Sequence, residues 1–482
     1  MKRDENLRNR VVLVGCVAAI LFFFRGETSA GQVLQVPLGN MPSGDFGSGG
    51  ISALSGGMGS DIVEVDSRQN QALKGPRLAF NSRDRLFLAV WEYHYAKSDW
   101  DINGRVLDAT GRPVGKPFGI AWRGSIVQQQ VGVAYNPCVN QFLVVYALSP
   151  GNGDLNSTLV AGDGTPSEVF VRVAETAAQE LRPSVVCDPI MNEYLVIYER
   201  QQTQGQVVWN EVWAQRVKHD GTLTGSAMRL SPATPGMNSI NGAVACAGGQ
   251  SLVVWQTTSS GGSALWGEFI ERGVPSTTRH YFGLDEHQSC PKVAYNPAWA
   301  SYLIVYWAQP DGGDYSVIRA KRMSNAGWAS PTVTLATAAR EHCTMPDIAY
   351  DPSDGTYVVV WAQGPSPATP GSLPPQRIMA LRVDGDGSPL GEPVPVSGPG
   401  KYQPISQGIP APAVAVGTDK RSLVVWEEQT VVLDGGVPTL PLSRILSATN
   451  AWGTLSGDLD GDSDVDFVDL AILSESWLHQ GE

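Results

Sequence analysis

The sequence predicts an all-β fold, a β-propeller of seven four-stranded blades with a small C-terminal calcium loop-helix module, and three observations carry that prediction. Composition is the first: 53 Gly and 33 Pro in 482 residues, with only 17% charged residues, is the make-up of a turn-rich β protein. An internal repeat is the second. PRLAFNSRDRLFLAVW ends at Trp91, VGVAYNPCVNQFLVVY at Tyr146 and PSVVCDPIMNEYLVIY at Tyr198; GAVACAGGQSLVVW then runs to Trp255, PKVAYNPAWASYLIVY to Tyr306, PDIAYDPSDGTYVVVW to Trp361 and PAVAVGTDKRSLVVW to Trp426. Seven aromatic anchors, roughly fifty to sixty-five residues apart, mark seven copies of one unit. The third is the runs LFLAVW and YLIVY, which have no polar face and must be covered on both sides, as when each sheet is sandwiched between two others.

In chain order, residues 1–30 read as a secretory signal. MKRDENLRNR is followed by an apolar run from Val11 to Phe24 and by Thr28, Ser29 and Ala30 at a plausible cleavage site; an uncleaved anchor is the competing reading. Residues 31–60 are a Gly/Ser-rich linker. Residues 61–455 hold the repeats. Each copy has a short alternating strand, an NP-type turn, the continuous apolar strand, a variable loop, a third strand such as NGRVLD or WAQRVKHD, a glycine turn and a fourth strand ending like FGIA. Copies of this size bury such a strand only by stacking, and radial stacking removes free ends. A pair of β-sandwiches is the bland alternative, but it needs no internal repeat. Ile62 to Val65 looks like a displaced fourth strand that completes the last blade beside Leu442 to Ser447. The DGDG of Asp384 to Gly387 aligns with the other glycine turns and reads as a hairpin.

The net charge of −13 makes nucleic acid an improbable partner. Beyond the signal, Cys138, Cys187, Cys246, Cys290 and Cys343 lack zinc-type spacing. Cys187 and Cys246 fall where other copies carry aromatics and read as buried apolar residues, while Cys290 and Cys343 are the candidate disulfide.

Variation concentrates in the second-to-third strand loops, and variation over a constant scaffold is where binding usually lives. The candidate ligand-binding residues there are Glu92, Tyr93, Tyr95, Trp100, Asp101, Glu199, Trp209, Trp307 and Asp314, exposed aromatics beside carboxylates that suit a sugar ring or a peptide. The competing reading is that the aromatics plug gaps between blades. No HExxH, GxSxG or phosphate-cradling glycine loop is present, and no catalytic residue is assigned. Glu92, Glu199 and Glu427 each follow an anchor aromatic, so a carboxylate pair for glycoside hydrolysis exists on paper, as does a purely structural reason for that position.

Residues 456–482 carry the clearest chemistry. Asp458, Asp460, Asp462, Asp466 and Asp469 occupy positions one, three, five, nine and twelve of a calcium loop, with the backbone carbonyl of Asp464 at position seven and apolar Val465 at eight. Val468, Leu470, Ala471, Leu473, Trp477 and Leu478 follow at roughly helical spacing. Calcium is the expected cofactor, and crowded aspartates without metal would repel, so binding and ordering are coupled. The pattern resembles a single type I dockerin repeat. That resemblance implies an EF-hand-like calcium module docking the protein onto a cohesin-like or cell-surface partner, although dockerins of that family carry two such repeats. The resulting expectation is an exported, non-enzymatic propeller binding an extracellular ligand, a carbohydrate or a peptide, and attached through its tail. The alternative is a propeller glycoside hydrolase or polysaccharide lyase recruited to a polysaccharide-degrading assembly.

Overall fold

The computed structural model describes residues 62–451 apart from 123, 125, 150–152, 260–261, 284–285, 366–375, 398–411, 418–420, 431–432, 435–436 and 439–441. The signal segment, the linker and the tail with Asp458, Asp460, Asp462, Asp464, Asp466 and Asp469 lie outside the described residues. Among the described residues every helix or strand is a β-strand, and no helix is long and apolar enough to cross a membrane.

After β1 (Val63–Gln69) come β2 (Ala72–Asn81), β3 (Leu86–Ala96), β4 (Asp99–Leu107), β5 (Pro113–Ala121), β6 (Val127–Asn136), β7 (Gln141–Ser149), β8 (Leu155–Ala161) and β9 (Pro166–Ala174). β2–β5 and β6–β9 are two antiparallel meanders, joined into one eight-stranded sheet by a single parallel bridge between Trp100 and Val127. Three four-stranded meanders follow: β10 (Glu180–Asp188), β11 (Glu193–Gln204), β12 (Val207–Lys218) and β13 (Leu223–Arg229); β14 (Asn238–Cys246), β15 (Gln250–Ser259), β16 (Gly262–Glu271) and β17 (Val274–Tyr281); β18 (Glu286–Asn296), β19 (Ser301–Pro310), β20 (Val317–Ser324) and β21 (Val333–Ala336). A fourth comprises β22 (His342–Asp351), β23 (Thr356–Gly364), β24 (Arg377–Val383) and β25 (Pro389–Pro395). The last sheet has the order β1-β30-β27-β26, with β26 (Ala413–Val416), β27 (Arg421–Thr430) and β30 (Leu442–Ala451); β28 (Leu433–Asp434) and β29 (Val437–Pro438) form a small hairpin between them.

The first strand of each meander lies against the first strand of the next, in the order β2, β6, β10, β14, β18, β22, β26 and back to β2. These are the inner strands of a β-propeller with four-stranded blades. Closure comes from β1, which pairs antiparallel with β30 from Val63–Ser447 to Gln69–Leu442, the arrangement the sequence suggests for that segment.

The second strands explain why their sequences lack a polar face. Leu88 and Val90 meet Phe142 and Val144, whereas Phe87, Ala89 and Trp91 meet Leu423 and Val425 on the other side. Leu143 and Val145 then pack on Tyr194 and Val196, and Leu195 and Ile197 on Val253 and Trp255. Alternate residues of one strand thus serve two neighbouring sheets. Burying each Val or Leu this way contributes about 1.5–3 kcal/mol relative to exposure. Every anchor aromatic packs toward the preceding sheet, so the residue after it faces the following one.

The NP-type turns have a specific mechanism. In Asn136, Oδ1 accepts the Cys138 N–H at 2.9 Å while Nδ2 donates to Asn192 Oδ1 of the next sheet at 2.9 Å. Asn81 and Asn296 likewise hold their own turns and reach across to Gly162 and Gly355 carbonyls, and all three asparagines are fully buried. One residue therefore closes the inner hairpin and fastens it to its neighbour. Asp384 to Gly387 is a hairpin turn, with the Gly387 N–H donating to the Asp384 carbonyl at 3.0 Å.

The cysteine expectation requires correction. All five described cysteines are free. Cys290 lies in β18 with its sulfur accepting from Asn241 of the preceding sheet, whereas Cys343 in β22 is buried against β18–β21 side chains. The two thiols face opposite sides of the same intervening sheet. Cys187 and Cys246 are half-buried at the ends of β10 and β14.

Candidate functional site

Six inner strands share an irregularity near their start. The pairing register shifts between Lys74 and Arg77, Gln129 and Gly132, Leu181 and Ser184, Ile240 and Ala243, Ser289 and Lys292, and Thr344 and Asp347. Each bulge holds a left-handed residue: Gly75 (φ 55), Gln130 (φ 57), Arg182 (φ 47), Asn241 (φ 56), Cys290 (φ 50) and Met345 (φ 55). For the non-glycine members that conformation costs about 1–2 kcal/mol each, so something must hold it. In four strands a proline follows (Pro76, Pro183, Pro291, Pro346), which suits a position with no ladder partner for its nitrogen.

Four of the six bulges are held by the residue after an anchor. Glu427 Oε2 accepts the Gly75 N–H at 2.8 Å, Glu92 Oε1 the Gln130 N–H at 2.7 Å, Glu199 Oε1 the Asn241 N–H at 2.8 Å and Gln256 Oε1 the Cys290 N–H at 3.2 Å. Ala147 occupies that place in β7, and there Gln130 Oε1 takes the Arg182 N–H at 2.8 Å instead. Asp347 Oδ2 accepts from Val414 at 3.0 Å between β22 and β26. A side-chain oxygen thus bridges nearly every pair of inner hairpins at this end of the ring.

The clasps differ in electrostatics. Glu199 is balanced: its other oxygen accepts from Arg182 Nη1 at 2.7 Å and Asn210 Nδ2 at 2.8 Å, although burial raises its pKa against the pull of Arg182. Glu427 is not. It is 2% exposed, its Oε1 has no hydrogen-bond partner among the described residues, and burial, reinforced by Glu92 and opposed by Gly75 N–H and Lys74, pushes it up to about 8. At neutral pH its carboxyl therefore carries a proton. Glu92 Oε1 stands 3.6 Å from where a Cβ on Gly75 would sit, so Glu427 and Glu92 reach Gly75 together. The second oxygen of Glu92 lies 2.9 Å from His94 Nε2, and Trp100 stacks on that imidazole at 3.6 Å and 10°.

The remaining sequence candidates separate into two groups. Tyr93 and Tyr95 on β3 and Trp100 and Asp101 on β4 join Glu92 at one hairpin end; the Tyr93 hydroxyl donates to Gln71 at 2.6 Å and Tyr95 is 58% exposed. Burial and Asp99 raise Asp101 to about 6. The expected exposure fails for Trp209, which is buried with its Nε1 donating to Glu211 at 3.3 Å, and for Trp307, half-buried against the cluster around Leu303 and Val305. Trp307 fills space between sheets. Asp314 is exposed in the β19–β20 connection with none of the other candidates beside it. The supposed loops around Glu92 and Glu199 are themselves hairpin strands, paired out to Ala96–Asp99 and Gln204–Val207. The sequence gives no expectation for Gly75, Gln130, Arg182, Asn241 or Met345, and for Cys290 only the disulfide; the proline after Gly75, Arg182, Cys290 and Met345 is the signal that marks four of the six bulges.

No protein-family profile matches this sequence, and neither does any curated protein. Solved structures do resemble it. An α-L-arabinanase of Penicillium chrysogenum complexed with arabinobiose is 12% identical with a TM-score of 0.43, over 80% of this chain and 98% of that one. The endosialidase of phage phi92 is 7% identical with a TM-score of 0.45, over 80% and 68%. A prolyl endopeptidase is 11% identical with a TM-score of 0.43 over 78% of this chain, which spans 50% of its length. Likeness at this level assigns no activity.

Proposed function

We propose that this chain is an exported, seven-bladed propeller glycoside hydrolase, with Glu427 as acid and Glu92 as base at the axial end of the ring. The count of seven is supported by the single bridge dividing the eight-stranded sheet and by the seven apolar clusters, one between each consecutive pair of meanders. The observation that carries the activity is the pair of carboxyls reaching Gly75 from two sheets, one of them held protonated by its burial. Two carboxyls in environments that separate their roles are what cleavage of a glycosidic bond requires. Glu427 would protonate the departing sugar oxygen while Glu92 takes a proton from water, whose hydroxyl ends on the anomeric carbon. Tyr95 and the Trp100–His94 stack offer flat faces for a sugar ring.

The test uses a feature of the ring itself. Gln256 makes the same clasp with an amide that Glu427 makes with an acid, so Glu427→Gln should keep the Gly75 hydrogen bond and the fold. Activity on a panel of polysaccharides is expected to fall about 10²–10⁴-fold in Glu427→Gln and Glu92→Gln, with an unchanged circular dichroism spectrum. Wild-type protein inactive on the whole panel would remove the hydrolase reading.

Gln256 also favours a second reading, a non-enzymatic glycan-binding propeller, because it fills the clasp without acid–base chemistry. Binding without turnover, retained in Glu427→Gln, would select it. Under either reading we infer a calcium-loaded, dockerin-like tail that attaches the protein to a surface or assembly, on the strength of the aspartate spacing from Asp458 to Asp469.

A further inference from the structure

The residue two places beyond each of the six bulges, together with Ala413 of β26, occupies one register position around the ring. Arg77, Gly132, Ser184, Ala243, Lys292, Asp347 and Ala413 each pair with the residue just before an anchor aromatic: Val90, Val145, Ile197, Val254, Val305, Val360 and Val425. Four of these inner-strand positions are small and three are charged. The charged ones are half-buried.

The charges do not cancel. Asp347 already accepts the Val414 N–H at 3.0 Å. Arg182, at the neighbouring bulge ring, is paired with Glu199 at 2.7 Å. Arg77 donates only to the adjacent Pro76 carbonyl at 2.8 Å, and neither it nor Lys292 has an ion pair among the described residues. Arg77 acts electrostatically on both Lys292 and Glu427, which lie on other sheets. Burial lowers the pKa of Lys292, and Asp347 opposes that shift more strongly than Arg77 reinforces it, so Asp347 is the counter-charge this lysine faces. Arg77 and Lys292 against Asp347 leave this register position with a formal charge of about +1, which runs against the overall field of a protein whose net charge is −13.

We propose that the inner-strand positions at this end of the ring recognise a carboxylate-bearing sugar chain, a uronic-acid saccharide, through Arg77 and Lys292. This rests on the carbohydrate reading above and narrows it from glycans in general to acidic ones. A planar guanidinium suits bidentate contact with a carboxylate, and a lysine adds a point charge beside it. The exposed Tyr95 ring supplies the flat face that a sugar uses and a simple inorganic anion does not.

The experiment is calorimetric titration of the full-length protein with oligogalacturonate, with its methyl-esterified and therefore neutral counterpart, and with poly-glutamate. Oligogalacturonate is expected to bind at least ten-fold more tightly than the ester, and the difference should shrink as salt rises. Arg77→Gln with Lys292→Met, which removes both charges while keeping unbranched stems, should abolish that preference and bring the affinity for the uronide down to that for the ester. Equal affinities for acid and ester, a preference that survives the double variant, or poly-glutamate binding more tightly than the uronide would each overturn the proposal. Uronide binding without cleavage would leave this inference standing and end the hydrolase reading; cleavage of neutral glycans without any acidic preference would do the reverse.

Discussion

Glu427 sits with one oxygen on the Gly75 N–H and the other on nothing among the described residues, and its pKa of about 8 has a consequence for stability. The unfolded chain titrates this group at its ordinary value of 4.5. Below that pH both states hold the proton and the stabilisation is complete. Between 4.5 and about 8 only the unfolded chain releases it, so folding stability falls as pH rises, on the order of a few kcal/mol across the window. Burial raises Glu199, Glu180 and Glu268 as well, so the informative quantity is a difference. Urea midpoints taken from pH 5 to pH 8 should decline in the wild type and decline distinctly less in Glu427→Gln. Parallel curves for the two proteins would mean that Glu427 titrates normally and is no acid.

At the scale of the element, the inner hairpin is fastened at both ends, by the bulge clasp at one and by the buried Asn or Asp of the turn at the other. Asn136→Ala removes both the hold on the Cys138 N–H and the bond to Asn192, and should destabilise the protein by about 1–3 kcal/mol in urea unfolding. Asn136→Asp should lose less, because Asp188 and Asp351 hold equivalent turns with carboxylates. An alanine variant as stable as the parent would show that the turn does not need its clasp. The strands themselves were legible because two-sided burial leaves an uninterrupted apolar run, as in β23, where every residue is buried. The long β11–β12 hairpin was not. Beyond Tyr198 it reads Glu-Arg-Gln-Gln-Thr-Gln, polar on both faces, so no period-two signal separates it from a loop. The bulges escaped for a different reason: the group that matters there is a backbone N–H, so Gln130, Arg182, Asn241, Cys290 and Met345 need no common side chain. Their acceptors, Glu92, Glu199 and Glu427, did stand out as a repeated position, but a sequence cannot say which amide a carboxylate meets.

For the molecule as a whole, the tail and the ring make separable demands. Full-length protein titrated with calcium should show a site that disappears in the Asp458→Ala, Asp469→Ala variant while thermal unfolding of the ring is unchanged. If binding at about 10 μM meets millimolar calcium, the ordered tail gains about 2.7 kcal/mol. Heat evolved equally by both proteins would place the calcium elsewhere.

The pairing of β1 with β30 joins residues 384 positions apart, Val63 and Ser447, which meet through the Ser447 hydroxyl. The first strand of the described residues is therefore among the last to find its place, and bringing such distant ends together carries an entropic penalty of about 5 kcal/mol that short-range contacts cannot offset beforehand. Until that happens the nascent ring has an open flank with unsatisfied amides, the state in which β proteins associate with one another. Slow maturation, and a need for protection by a holding factor during it, follow from the position of that one strand.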